Sequence, residues 1–158
     1  MKDIKEGKKF QIGDIEILAI YTPGHITDHM SFLMNYQHER ILFSGDIILD
    51  SPSTLVQDLP TYMKTLYRLR DTPEFTFDFI CTTHSLDLGE GSDERICMPG
   101  PAKLDAYIKY REIRLENMLQ IIRDAPATRE QLYEAMYGDR NLQGQIRGMA
   151  YVNLDQQI

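Results

Sequence analysis

Three short polar segments, each placed straight after a β-rich run, constrain this 158-residue chain more than any other feature. Thr22-Pro-Gly-His25 follows IEILAIY, Ser44-Gly-Asp46 follows ILF, and Thr82-Thr-His84 follows FDFIC. Strand ends that meet at one edge of a sheet form a rigid frame, and a rigid frame is where metal ligands and catalytic groups are held in register. Pro-Gly in the first segment demands a tight turn that delivers the next side chain, His25, to one fixed place.

The remaining pattern supplies the frame. Phe10–Tyr21 reads as two β runs around Gly13-Asp14, a hairpin signal. Met30–Tyr36 and Arg40–Ser44 are two further short strands joined by Gln37-His38-Glu39, so four successive strands predict an antiparallel meander. Asp58 is placed to cap a helix with Pro60 in its first turn, and Leu59, Met63, Leu66 and Leu69 give that helix one apolar face. A strand returns at Phe75–Thr82. A polar, acidic loop with Asp87, Glu90, Asp93 and Glu94 follows, and reads as a solvated surface insertion, with a substrate-gating role as the alternative. Pro99-Gly-Pro101 opens the longest helix, about residues 102–124, with Leu104, Ile108, Leu115, Leu119 and Ile122 as its stripe. Ala125-Pro126 breaks it. Thr128 and Gln131 then form a capping box, followed by a short helix to Met136 and a last one from about Leu142.

Composition excludes several classes. The net charge is −7, which gives no general attraction for nucleic acid. The eight Lys and Arg residues of 102–158 face a comparable number of acids, so the helical tail alone is a poor nucleic-acid binder. Cys81 and Cys97 are too few and too isolated for a disulfide scaffold or a zinc ribbon. No run approaches the length of about 18 apolar residues that a spanning helix needs. The first ten residues, MKDIKEGKKF, lack the apolar core of a signal peptide, which makes the cytoplasm the default location and the mitochondrion the alternative.

His25, Asp46 and His84 lie 21 and 38 residues apart and are the candidate metal ligands. Imidazole and carboxylate suit Zn²⁺, and an aspartate can place one oxygen on each of two ions. His29 is expected to support the His25 loop as a hydrogen-bond donor behind the ligands, with Thr22 beside it. His38, in a polar link, is expected to be exposed.

YTPGHITDHMSF followed by ILFSGDIIL resembles the third and fourth motifs of the metallo-β-lactamase superfamily, over about residues 10–158. The branch it most resembles is the β-lactamase-like protein 2 group, related to glyoxalase II and known for zinc-dependent endoribonucleases. The resemblance implies an α/β fold, the C-terminal half of an αβ/βα sandwich of mostly antiparallel strands plus helices. Residues 1–100 would carry the third to fifth metal motifs, and 101–158 the long helix and an incomplete winged-helix-like tail. It also implies that His25 completes a three-histidine metal position, Asp46 bridges two ions and His84 completes the second position.

Two departures qualify that implication. The upstream His-x-His-x-Asp-His cluster, source of most of the usual ligands, has no counterpart in this sequence, and the fifth motif reads Thr82-Thr-His-Ser85 in place of Pro-Gly-His-Gly. The chain alone is therefore expected to hold zinc weakly and to have little hydrolase activity. Half a sandwich would expose an apolar sheet face, so self-association or pairing with an N-terminal half is expected. The complete protein is expected to hydrolyse a phosphodiester, as an endoribonuclease does, or a thioester by metal-bound hydroxide, with RNA or a small-molecule ester as substrate. A non-catalytic interaction module that kept the fold's motifs is the alternative.

Overall fold

The computed structural model describes residues 3–49, 54–83, 97–125 and 127–138, together with Asp155. Among the described residues six strands form one sheet in the order in which they occur along the chain: β1 (Lys9–Ile12), β2 (Ile15–Tyr21), β3 (Met30–Tyr36), β4 (Glu39–Leu49), β5 (Phe79–Thr83) and β6 (Cys97–Pro99). The first four strands are the predicted antiparallel meander, turned by Gly13 at φ 57° and by Gln37 at φ 54°. β5 runs parallel to β4, and the helix α1 (Leu59–Asp71) lies in the crossover between them.

Strand alternation splits the sheet into two faces. Leu18, Leu33, Leu42, Ile80 and Met98 stand opposite one another across β2–β6 and join the main core. That core is completed by Leu59, Leu66 and Leu69 of α1 and by Leu104 and Ile108 of the helix α2 (Gly100–Asp124). The next row, Phe10, Ile17, Met34, Ile41 and Phe79, points the other way, as does Ala19–Phe32–Phe43–Cys81–Cys97. Among the described residues no helix packs over that second face, and Phe43 keeps 42% of its surface exposed there.

Helix boundaries follow their local chemistry. Asp58 caps α1, its carboxylate accepting from the Thr61 backbone N–H at 3.0 Å. The capping box of Thr128 and Gln131 opens the helix α3 (Arg129–Tyr137). α2 serves two clusters: its first half joins the sheet core, while Met118 packs with Leu132, Tyr133 and Tyr137 of α3.

Five expectations change. The strand expected over Phe75–Thr82 begins only at Phe79, because Pro73–Phe75 closes into a short 3-10 turn ahead of it. β4 does not end at Ser44. It continues through Gly45 and Asp46 to Leu49, with its register against β5 broken on both sides of Gly45, so Asp46 leaves the sheet from a bulge inside a strand. β6 was not foreseen, because three residues containing Pro99 carry no strand signal of their own; pairing with β5 makes them one. That pairing sets Cys81 directly opposite Cys97, so the two cysteines are not isolated. Finally, the buried stripe of α2 contains Arg111 and Arg114, whereas Ile122 is 40% exposed. The acidic loop and the helix expected from Leu142 lie outside the described residues, apart from Asp155, which pairs with Arg129 at 2.5 Å.

Candidate metal centre

The Thr22–His29 loop is built to hold an imidazole still. The Thr22 N–H donates to the His29 carbonyl at 2.9 Å and closes the loop. Gly24 lies flush against the backbone of α1, and its carbonyl accepts from the N–H groups of Gln57 and Asp58 at 2.9 and 3.1 Å. The Thr65 hydroxyl donates to the Pro23 carbonyl at 2.8 Å. His25 emerges from this clamp half-buried. Its Nδ1 lies 2.6 Å from the Leu55 carbonyl, which can only accept, so Nδ1 carries the proton of the neutral ring. The lone pair is then on Nε2, and Nε2 sits 3.7 Å from Oδ2 of Asp46.

Asp46 is held on three sides. Its backbone N–H donates to Nε2 of His29 at 3.0 Å, its carbonyl accepts from the Thr54 hydroxyl at 2.6 Å, and its Oδ1 accepts from the Thr83 hydroxyl at 2.5 Å. Gly45 makes the first of these contacts possible. It has φ 55°, and a Cβ there would lie 2.8 Å from Nε2 of His29.

His29 is 8% exposed and works through its two nitrogens separately. Because Nε2 accepts from Asp46, Nδ1 carries the proton and donates to the Thr22 hydroxyl at 2.7 Å. Thr22 passes its own proton toward Ser31 at 2.9 Å, and Ser31 donates to the Ser44 carbonyl at 3.1 Å. Every polar atom in this buried chain is paired, which ties the His25 loop, β3 and the Asp46 bulge into one unit. Thr22 and His29 therefore stand behind the His25–Asp46 pair, and His29 aligns the Asp46 backbone.

Burial pushes the pKa of His29 below its ordinary value, and the neighbouring His25 adds to the effect. At His29 the unfolded chain thus binds more protons than the folded one as pH falls through the ordinary histidine range, so this group's contribution to folding stability is fully present above about pH 6.5 and is lost below it. Chemical denaturation across pH 5 to 7.5 should show that decline, and His29→Gln should flatten it. An unchanged slope in the variant would assign the acid sensitivity elsewhere.

One sequence-predicted ligand, His84, lies outside the described residues, so the structure assembles His25 and Asp46 only. Among the described residues no group of three or more His, Cys, Asp or Glu side chains converges on a metal position. The two that do converge fit an ion. Zinc-to-nitrogen and zinc-to-oxygen bonds of about 2.0–2.2 Å each can span a gap of this size, and the donor atoms face each other with the imidazole in the ligating tautomer. Sequence reasoning missed Leu55, Thr54, Thr83 and Gly45. Only Gly45 carried a signal, as the glycine of Ser-Gly-Asp. Exposed His38 takes no part.

The comparisons with known proteins agree with this frame. No protein-family profile matches the chain. The chain is 30% identical over 148 residues to Lactamase-like protein aptB of Emericella nidulans, an alignment covering 87% of the chain and 43% of that relative. It is 40% identical over 67 residues to the Atrochrysone carboxyl ACP thioesterase of Aspergillus fumigatus, covering 42% of the chain and 21% of the relative. Among solved structures, a beta-lactamase domain protein from Burkholderia ambifaria superposes with a TM-score of 0.78 at 17% identity, covering 99% of the chain and 45% of that protein. A metallo-beta-lactamase family protein from Thermus thermophilus gives 0.70 at 19%, covering 98% and 46%. The fold is thus the metallo-β-lactamase α/β fold. The chain is similar to lactamase-like proteins over most of its length, and it spans less than half the length of each of these four proteins. No helix among the described residues is long and apolar enough to cross a membrane.

Proposed function

We propose that the chain contributes His25, Asp46 and His84 to the zinc centre of a metal-dependent hydrolase. The observation that carries this reading is the opposition of His25 Nε2 and Asp46 Oδ2 at 3.7 Å, with Nδ1 of the ring engaged by Leu55. When bound, zinc supplies a water whose pKa is lowered far enough to act as a nucleophile near neutrality. This chain's residues orient donors for it: Leu55 sets the His25 tautomer, Thr83 directs one carboxylate oxygen, and His29 fixes the backbone of Asp46.

The substrate class we favour is a thioester. Its support is the thioesterase among the relatives and the net charge of −7, which disfavours the RNA substrate that the β-lactamase-like protein 2 group suggests. Complementation tests the reading. The part of the Emericella relative that lies outside its matched region is supplied as a separate polypeptide, with zinc and the chain. Hydrolysis of an acyl thioester should appear in the mixture, stay low with either partner alone, and vanish with Asp46→Asn. Cleavage of single-stranded RNA instead would move the substrate class. A zinc-loaded mixture inert toward both would contradict the hydrolase reading, and full activity of the chain alone would contradict its dependence on a second segment.

The row Phe10–Ile17–Met34–Ile41–Phe79 supports a matching proposal about partners. That apolar face is covered by a segment of the kind that the longer relatives possess, or by a second copy when no such segment is present. Light scattering of the chain should give a mass that rises toward a dimer with concentration. A monomer at all concentrations would count against it.

A further inference from the structure

We infer that Cys81 and Cys97 form a dithiol that closes to an intrachain disulfide when the chain meets a low-molecular-weight disulfide. The register places them. Cys81 of β5 stands opposite Cys97 of β6 in an antiparallel pair. In such a pair, positions alternate between those that exchange backbone hydrogen bonds and those that do not. The Gly100 N–H donates to the Asp78 carbonyl at 2.9 Å, which makes Asp78 and Gly100 a bonded position. Counting outward, Phe79 and Pro99 are non-bonded, Ile80 and Met98 bonded, and Cys81 and Cys97 non-bonded. Pro99, which has no N–H to give, fits its assigned position.

Non-bonded positions bring the two Cα atoms to about 4.5 Å, with side chains closer than at bonded ones. A disulfide requires a Cα separation of about 4.4–6.8 Å, so the strands need little movement to accept one. Both side chains lie on the sheet face that no described helix covers, beside Phe43, which pairs with Cys81 from β4. Cys97 is exposed on the edge strand and Cys81 is half-buried behind it. Burial and the adjacent Cys97 thiol push the Cys81 thiol up to about 12, consistent with a proton shared toward its neighbour's sulfur.

These exposures assign the order of steps. The Cys97 thiolate attacks one sulfur of the small disulfide and expels its first thiolate, leaving a mixed disulfide on Cys97. Cys81 then gives its proton to solvent and attacks the Cys97 sulfur, which breaks the mixed disulfide and expels the second small thiol. Two protein thiols are oxidised to one disulfide, and the small disulfide is reduced to two thiols. The bond ties β6 covalently to the strand whose Thr83 hydroxyl holds the Asp46 carboxylate.

Oxidised glutathione is the probe. Treated native chain should lose both titratable thiols, retain no glutathione by intact mass, run as a single chain on a non-reducing gel, and yield one peptide pair joined at Cys81 and Cys97. Closure in the folded chain should be faster than in denaturant by about tenfold or more, since the fold holds the two sulfurs together. Cys97→Ser should leave one cysteine that retains glutathione wherever it reacts at all. If that variant fails to fold, the comparison of folded and denatured wild-type chain still decides. Glutathione retained on both cysteines, a link between chains, thiols that stay free, or closure no faster than in denaturant would each overturn the inference.

Discussion

Gly24→Ala is expected to cost about 3–5 kcal/mol of folding stability, a large share of the roughly 5–15 kcal/mol available to a domain. The position has φ 123°, a conformation that L side chains rarely adopt, and that strain alone costs about 1–3 kcal/mol. The added methyl would also sit 2.3 Å from the Cα and 2.5 Å from the backbone nitrogen of Tyr62. Helix backbone cannot swing aside as a flexible side chain can. Either α1 moves away from the loop, losing the Gly24 carbonyl's bonds to Gln57 and Asp58, or the loop moves and carries His25 with it. Gly13→Ala is the matched control. It shares a positive φ of 57° but has nothing within 4 Å, so it should cost only about 1–2 kcal/mol. Equal denaturation midpoints for the two variants would mean that the loop does not seat on α1.

Arg111→Ala is expected to cost about 3 kcal/mol and to loosen Asp46 as well. The guanidinium is 4% exposed and lies 5.4 Å from the ring of Tyr62 and 5.7 Å from that of Tyr107. Its Nη2 donates to the Thr54 carbonyl at 3.0 Å, and the Thr54 hydroxyl donates to the Asp46 carbonyl at 2.6 Å. Truncation therefore empties a slot between two tyrosines and removes the buried hydrogen bond from the guanidinium to the Thr54 carbonyl. Arg111→Lys should fall between wild type and alanine, because an ammonium keeps the charge but cannot present a planar fork to both rings. Denaturation curves would measure the stability term. An alanine variant within about 0.5 kcal/mol of wild type would return Arg111 to the class of surface cations.

The contrast between these residues shows what a sequence makes legible. Local signals were sufficient where the structure is local. Gly13-Asp14 turns the first hairpin, Asp58 and Thr128 cap their helices, and Pro23-Gly24 forces the bend before His25. The signals failed where distant strands decide the outcome. Ser44-Gly-Asp46 resembles a strand-ending turn, yet pairing with β5 carries β4 through it as a bulge. Cys97-Met-Pro99 becomes a strand only because β5 lies beside it. Arg111 and Arg114 occupy helical positions that face the core, but cations carry no apolar signal. Their burial rests on Tyr62, Tyr107 and Tyr137, which arrive from other helices or other turns of α2.

The candidate site divides in the same way. His25 and Asp46 were readable because the residue types themselves announce metal chemistry. The parts that aim them were not: Leu55 contributes only a carbonyl, and Thr54 and Thr83 only hydroxyls, on segments far from the motifs. His29 was readable as a support, but not its use of one nitrogen for the Asp46 backbone and the other for a buried hydroxyl chain.

Equilibrium zinc titration of metal-free chain, by calorimetry or competition with a coloured chelator, addresses the metal centre most directly. Wild-type chain should bind zinc weakly, and His25→Ala and Asp46→Asn should each reduce the affinity by about tenfold or more. His38→Ala, which alters an exposed histidine, should leave it unchanged. Equal affinities across all four proteins, or a loss confined to His38→Ala, would show that His25 and Asp46 do not hold the metal.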